Sequence, residues 1–136
     1  MTRDRLLTGV AIAAMLAAIV AGLIVSGSPQ RQRELRFDER RVSDLRGLSN
    51  AVSRHYRETR RLPETLERLV DGMALSAVPR DPGTNEAYEY EIDGPRDFHL
   101  CATFLRASPN SAPDEFWNHP DGRHCFRFDF SSMRFD

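Results

Sequence analysis

The chain has 136 residues, room for one domain, which excludes multidomain enzymes and long solenoids. Nineteen basic residues, all of them arginine, face twenty Asp and Glu for a net charge of -1, which excludes a strongly basic nucleic-acid binder. Hydrophobic residues make up 40% of the chain and are densest between positions 6 and 25.

From Leu6 to Val25 the sequence LLTGVAIAAMLAAIVAGLIV carries no charge. At 1.5 Å per residue, about twenty residues cross a hydrocarbon core of roughly 30 Å. A secretory signal has an apolar region of about 7 to 15 residues, and Val25-Ser26-Gly27 is a poor cleavage site. The segment therefore predicts an uncleaved transmembrane helix over 6–25, with a flank at 1–5, a linker at 26–30 and a domain at 31–136. Along it Ala14, Ala18 and Gly22 recur every fourth residue. That stripe suits close approach of a second membrane helix, although an Ala-rich span produces it without any partner. Arg31, Arg33, Arg36 and Arg40 follow the span while Arg3 and Arg5 precede it, so the positive-inside rule places the domain in the cytoplasm. Two cysteines, Cys101 and Cys125, argue the other way, because an even pair reads as one disulfide in an oxidising compartment.

Ser28-Pro29 supplies a helix cap and a first-turn proline. Val42, Leu45, Leu48, Val52 and Tyr56 then recur at spacings of three and four among charged residues, which predicts an amphipathic helix to about Arg60. Its arginines, interleaved with Glu34, Asp38, Glu39, Asp44 and Glu58, read as a solvated face with ion pairs in preference to a phosphate or headgroup patch. Pro63 opens a short helix carrying Leu66, Leu69 and Val70, closed by Asp71-Gly72; a turn is expected at Asp81-Pro82-Gly83-Thr84.

The period then changes to two. Tyr88, Tyr90 and Ile92 alternate with Glu89 and Glu91, and Phe98, Leu100, Ala102 and Phe104 alternate with His99, Cys101 and Thr103, with Asp93-Gly94-Pro95 between them. This is a hairpin. After a long loop from Arg106 to Arg123, the alternation of Phe126, Phe128 and Phe130 with Cys125, Arg127 and Asp129 predicts a third strand. One parity forms an apolar face for the amphipathic helix. The cysteines have the opposite parity, so they suit a bridge on the outer face. The expected fold is α+β, an amphipathic and a short helix on a three-stranded antiparallel sheet.

Signals for chemistry are sparse. His55, His99, His119 and His124 with the two cysteines offer zinc donors, but no C-x-x-C or H-E-x-x-H spacing groups them. His124 beside Cys125 suggests a nucleophile and base only if the pair is reduced. Ser49 and Ser53 lack a catalytic setting, and no phosphate-binding glycine loop occurs. Glu89 and Glu91 on an outer strand face read as solvated, and Asp114, Glu115 and Asp121 do not follow a calcium-loop register. Trp117, in Phe116-Trp117-Asn118-His119-Pro120, reads as a plug over the sheet edge or an anchor for a partner.

The succession Arg61-Leu62-Pro63-Glu64-Thr65-Leu66, Asp81-Pro82-Gly83-Thr84-Asn85-Glu86-Ala87-Tyr88-Glu89-Tyr90 and a hairpin, behind an N-terminal membrane helix, resembles the type II secretion pseudopilins and type IV pilin-like proteins. The likeness covers about residues 42–105 and matches their LPxxL helix and DPxTGxxYxY turn and strand, with Asn85 in the glycine position. The segments at 100–104 and 117–126 look like a recurring ending of bacterial membrane-anchored proteins with this core. The resemblance implies a disulfide, a domain outside the inner membrane and no catalytic residue. The family's processing and assembly site is G-F-T-L-x-E, whereas here Gly9 is followed by Val10 and the span holds no acid.

These readings combine into a non-enzymatic, single-pass inner-membrane protein whose pilin-like domain joins an envelope complex. Its partners are the bilayer and other membrane or envelope proteins, contacted through Trp117, Phe116 or the Ala14, Ala18 and Gly22 stripe, with no cofactor, metal, nucleic acid or small-molecule substrate expected. An atypical pseudopilin is the alternative.

Overall fold

The computed structural model describes residues 2–26, 28–70, 75–109 and 115–131, and the chain divides into two compact units, Met1–Glu34 and Leu35–Asp136. In the first unit helix α1 runs Thr2–Ser26. Its window Arg3–Gly22 has a mean hydropathy of 2.0 and no part of it is buried. Large apolar side chains from Leu6 to Val20 are 54% to 70% exposed, so α1 is apolar on every side and long enough to cross a membrane. The Thr8 hydroxyl donates to the Asp4 carbonyl at 2.8 Å, which satisfies the one polar side chain of the apolar run within its own helix. Helix α2, Pro29–Thr59, starts as the Ser28 and Pro29 signals predict, with Ser28 Oγ accepting from the Arg31 amide at 3.3 Å.

In the second unit the apolar stripe of α2 meets the sheet. Strands β1 (Glu89–Ile92), β2 (Asp97–Phe104) and β3 (Gly122–Asp129) form an antiparallel sheet in the order β1-β2-β3. Leu45, Leu48, Val52 and Tyr56 from α2 are buried with Phe98, Leu100, Phe104, Phe126, Phe128 and Phe130. Rings interlock this layer: Phe98 stacks on Phe128 at 4.8 Å and Tyr56 on Phe130 at 4.6 Å between centroids, geometry that adds to the area term. The short helix expected after Pro63 is a single 3₁₀ turn, Leu66–Leu69, which buries those two leucines. Ile92, expected inside, is 45% exposed, because it ends an edge strand with a neighbour on one side only.

The same helical stripe continues toward the N-terminus of α2 with charges, contrary to the reading of a wholly solvated charged face. Asp38 and Arg41 are only 4% and 3% exposed. The Arg41 guanidinium donates to both Asp81 oxygens, at 2.5 and 2.8 Å, and to Asp38 Oδ1 at 2.7 Å. Asp38 in turn accepts from the Leu105 and Arg106 amides at 3.0 and 2.9 Å. Asp81 also accepts from the Gly83 and Thr84 amides at 2.8 and 3.0 Å. A buried ion pair is tolerated when its remaining donors and acceptors are satisfied in this way. Next to it the Tyr88 hydroxyl donates to Asp44 at 3.0 Å, and Tyr90 donates to the Pro63 carbonyl at 3.0 Å.

The turn is shaped for this junction. A Cβ at Gly83 would lie 3.1 Å from the Arg41 Nη2 atom, so a side chain there crowds the ion pair. Asn85 adopts φ 61°, the left-handed region in which asparagine is the best tolerated residue after glycine. Asn85→Gly should therefore keep or slightly raise stability, whereas Asn85→Val should cost about 1 to 2 kcal/mol in urea titrations.

Arg41 holds the Asp81 carboxyl down to about 2, its hydrogen bond outweighing the penalty of burial, with the Thr84 and Gly83 amides assisting. An unfolded aspartate titrates near about 3.9, so the contribution, about 2 kcal/mol, is complete above about pH 5 and disappears as pH falls through about 2. Asp81→Asn should cost about 2 to 4 kcal/mol at neutral pH, and the difference from the parent should shrink on acidification over that window.

Candidate functional site

The ionic junction fixes the start of the segment that leads from β2 to β3, through the Asp38 bonds to Leu105 and Arg106. Ser108 and His119 close its base: the Ser108 amide donates to the His119 carbonyl at 2.9 Å and the His119 amide donates to Ser108 Oγ at 2.7 Å. His119 is 8% exposed and stacks on Phe104 at 3.5 Å. Held from both ends, the 3₁₀ turn Glu115–Trp117 sets Trp117 against Phe126 at 4.7 Å, with the Arg46 guanidinium 5.2 Å from its ring. Trp117 is half-buried and plugs the inner side of the sheet, while Phe116 is 48% exposed.

Two grooves flank Trp117, which lines both. One, of about 500 Å³, runs between Leu35, Val42 and Arg46 of α2 and Arg106, Pro109 and Trp117. Asn118 also lines it, and its Oδ1 is buried with no hydrogen-bond partner among the described residues. The other, of about 790 Å³, lies between Ser53, Arg54 and Arg57 of α2, Phe116, and Arg127 and Asp129 of β3. The first groove has apolar walls with a few polar groups, whereas the second is lined mainly by polar and charged side chains around Phe116, Trp117 and Phe128.

The outer face of the sheet is a separate polar layer. Cys101 and Cys125 stand directly opposite each other in the β2/β3 register and are joined, with Cα atoms 4.0 Å apart. Although Cys101 faces outward it is 1% exposed, because Arg123 reaches across it: Nη2 lies 3.6 Å from Cys101 Sγ and pairs with Glu89 at 2.5 Å. That guanidinium holds the Glu89 carboxyl below its ordinary range. His99 sits between Glu91 and Asp93, each 2.9 Å from one ring nitrogen. Glu89 and Glu91, read from sequence as merely solvated, are thus each paired, with partners that only strand register brings near. His99, Cys101 and Cys125 have donor atoms within 4.8 Å of one another, but a disulfide sulfur lacks the thiolate charge that binds zinc.

The histidines do not converge. His99 is on the outer face, while His119 and His124 lie near the aromatic core, where burial and then the neighbouring His119 push the His124 imidazole down. Ala14, Ala18 and Gly22 are exposed along α1. Asp114 and the Glu115 side chain fall outside the described residues. The ionic junction was missed in the sequence, although Asp38 and Arg41 continue the spacing of Leu45 and Leu48. No family model, curated protein or solved structure matches the chain.

Reducing the disulfide, whose cysteines are 24 residues apart, should lower stability by about 3 kcal/mol in paired urea titrations with and without reductant. Trp117→Ala should cost about 2 to 4 kcal/mol and Phe116→Ala less than about 1 kcal/mol, since only the first removes a plug.

Proposed function

We propose that the chain is a non-catalytic, membrane-anchored interaction protein. Its pilin-like domain stands outside a bacterial inner membrane as an accessory subunit of an envelope complex. The observation that carries this reading is α1, whose apolar residues are exposed on every side, since lipid is the medium that covers all faces of such a helix at once. Three features support the remainder. Asn85 takes a left-handed conformation at the position where the pilin-like motif has glycine. Helix α2 packs along the sheet with the aspartate of the same motif anchored on its Arg41. The joined cysteines favour an oxidising compartment over the cytoplasm.

A membrane-impermeant maleimide applied to intact cells, with and without prior reduction, tests the reading when followed by intact mass of the whole chain. Labelling only after reduction, on a chain that keeps residues 1–25, is the expected outcome. Thiols that react only after lysis would overturn the outward domain. A mass lacking the apolar segment would overturn the anchor, and a cut beside Gly9 with a methylated new terminus would point to a processed pseudopilin.

A further inference from the structure

Strand β3 is an edge strand eight residues long that pairs with β2 alone among the described residues. Its open side follows from the register. The Cys101 and Cys125 Cα atoms are 4.0 Å apart, the close spacing of a pair that exchanges no backbone hydrogen bonds. The Phe130 amide donates to the Arg96 carbonyl at 3.0 Å, which places the bonded pairs at the even positions of this strand. The N–H and C=O groups of Arg123, Cys125 and Arg127 therefore point away from β2, toward the open edge.

An edge of this length, unpaired among the described residues, invites another strand. What surrounds it selects that strand. Arg127 on the edge and Arg54 and Arg57 on α2 line the larger groove, are exposed, and make no ion pair among the described residues. Asp129 is the one acid with them in that lining among the described residues. Beside them Phe116 offers an exposed ring on the inner side of the edge. Two copies joined β3 to β3 would set Arg127 and Arg123 of one against those of the other, and like charges across a strand pair repel. The β1 edge of a second copy is four residues long, and its Glu89 and Glu91 are already paired to Arg123 and His99.

We infer that the β3 edge is a docking site for an extended acidic segment of a different protein, added to the sheet as a fourth strand. Carboxylates of that segment lie opposite Arg127, at the groove it shares with Arg54 and Arg57, and its alternate, apolar side chains rest on Phe116. Main-chain bonds supply affinity in this mode and the alternating side chains supply choice. The inference rests on the reading of the domain as an interaction module. Its assay in neutral micelles is blind to topology and processing, so either can fail alone.

The full chain in dodecyl maltoside is titrated into the fluorescein-labelled peptide Thr-Glu-Val-Glu-Val-Glu-Val-Thr and followed by anisotropy. Saturable binding is expected, with at least a tenfold loss when lysine replaces the three glutamates. A like loss is expected when the glutamate amides, the ones that would face β3, are N-methylated. The triple variant Arg54→Glu, Arg57→Glu, Arg127→Glu should also bind at least tenfold more weakly; the N-methyl comparison uses the parent chain and needs no variant to fold. No saturable binding would overturn the inference. Equal binding of the N-methylated peptide would also overturn it, leaving a site for anions without strand addition. A dimer that forms without peptide and is lost in Arg127→Glu would overturn it in favour of a second copy.

Discussion

The buried guanidinium of Arg41 organises the second unit. One side chain on α2 bridges a carboxylate of its own helix and a carboxylate forty residues away, and those two acids bind four backbone amides between them. The helix is thereby tied to the turn that feeds β1 and to the segment that leaves β2. Hydrophobic contact and ring stacking set α2 on the sheet, but they act through the apolar stripe and do not hold the loops. The bidentate ion pair fixes where along the helix each loop attaches. Arginine suits this role better than lysine because its planar fork meets Asp81 with two bonds and still reaches Asp38.

From that registration the placement of the two grooves follows. The Asp38 bonds launch the β2 to β3 segment at a defined point, Ser108 and His119 pin its return, and Trp117 is delivered to the aromatic face beside Arg46. Each groove has one wall on α2, and the Trp117 segment stands between them. The outer face meets this arrangement only at the β3 edge, where Arg127 and Asp129 line the larger groove. On that face the disulfide, the Arg123 and Glu89 pair and His99 between its two acids form a polar layer that stiffens the sheet without touching the grooves.

Much of the fold was readable because its periods are clean. Leu45, Leu48, Val52 and Tyr56 mark the buried face of α2, and the alternating aromatics mark the strands and their inner side. The cysteine parity also placed both sulfurs on one face. What was not readable has a common cause. Residue type alone sends charges to solvent, yet Asp38 and Arg41 occupy the very stripe that the leucines define, and their partner Asp81 is remote in sequence. Glu89 and Arg123 are likewise brought together only by strand register. Periodicity reports which face a residue occupies, whereas the compensation that lets a charge sit there depends on contacts that no local window contains. The grooves were illegible for the same reason, since their walls come from α2, from the Trp117 segment and, for the larger one, from β3.

The cross-strand disulfide makes the Trp117 segment part of a covalent ring, from Cys101 through the β2 to β3 connection and back to Cys125. A protease that cuts once inside this ring cannot release either piece: the N-terminal part with α1 and β2 stays bonded to β3. Such a nick would be invisible on a non-reducing gel. The Trp117 segment can thus be opened while both strands of its frame remain attached to the membrane-spanning candidate helix.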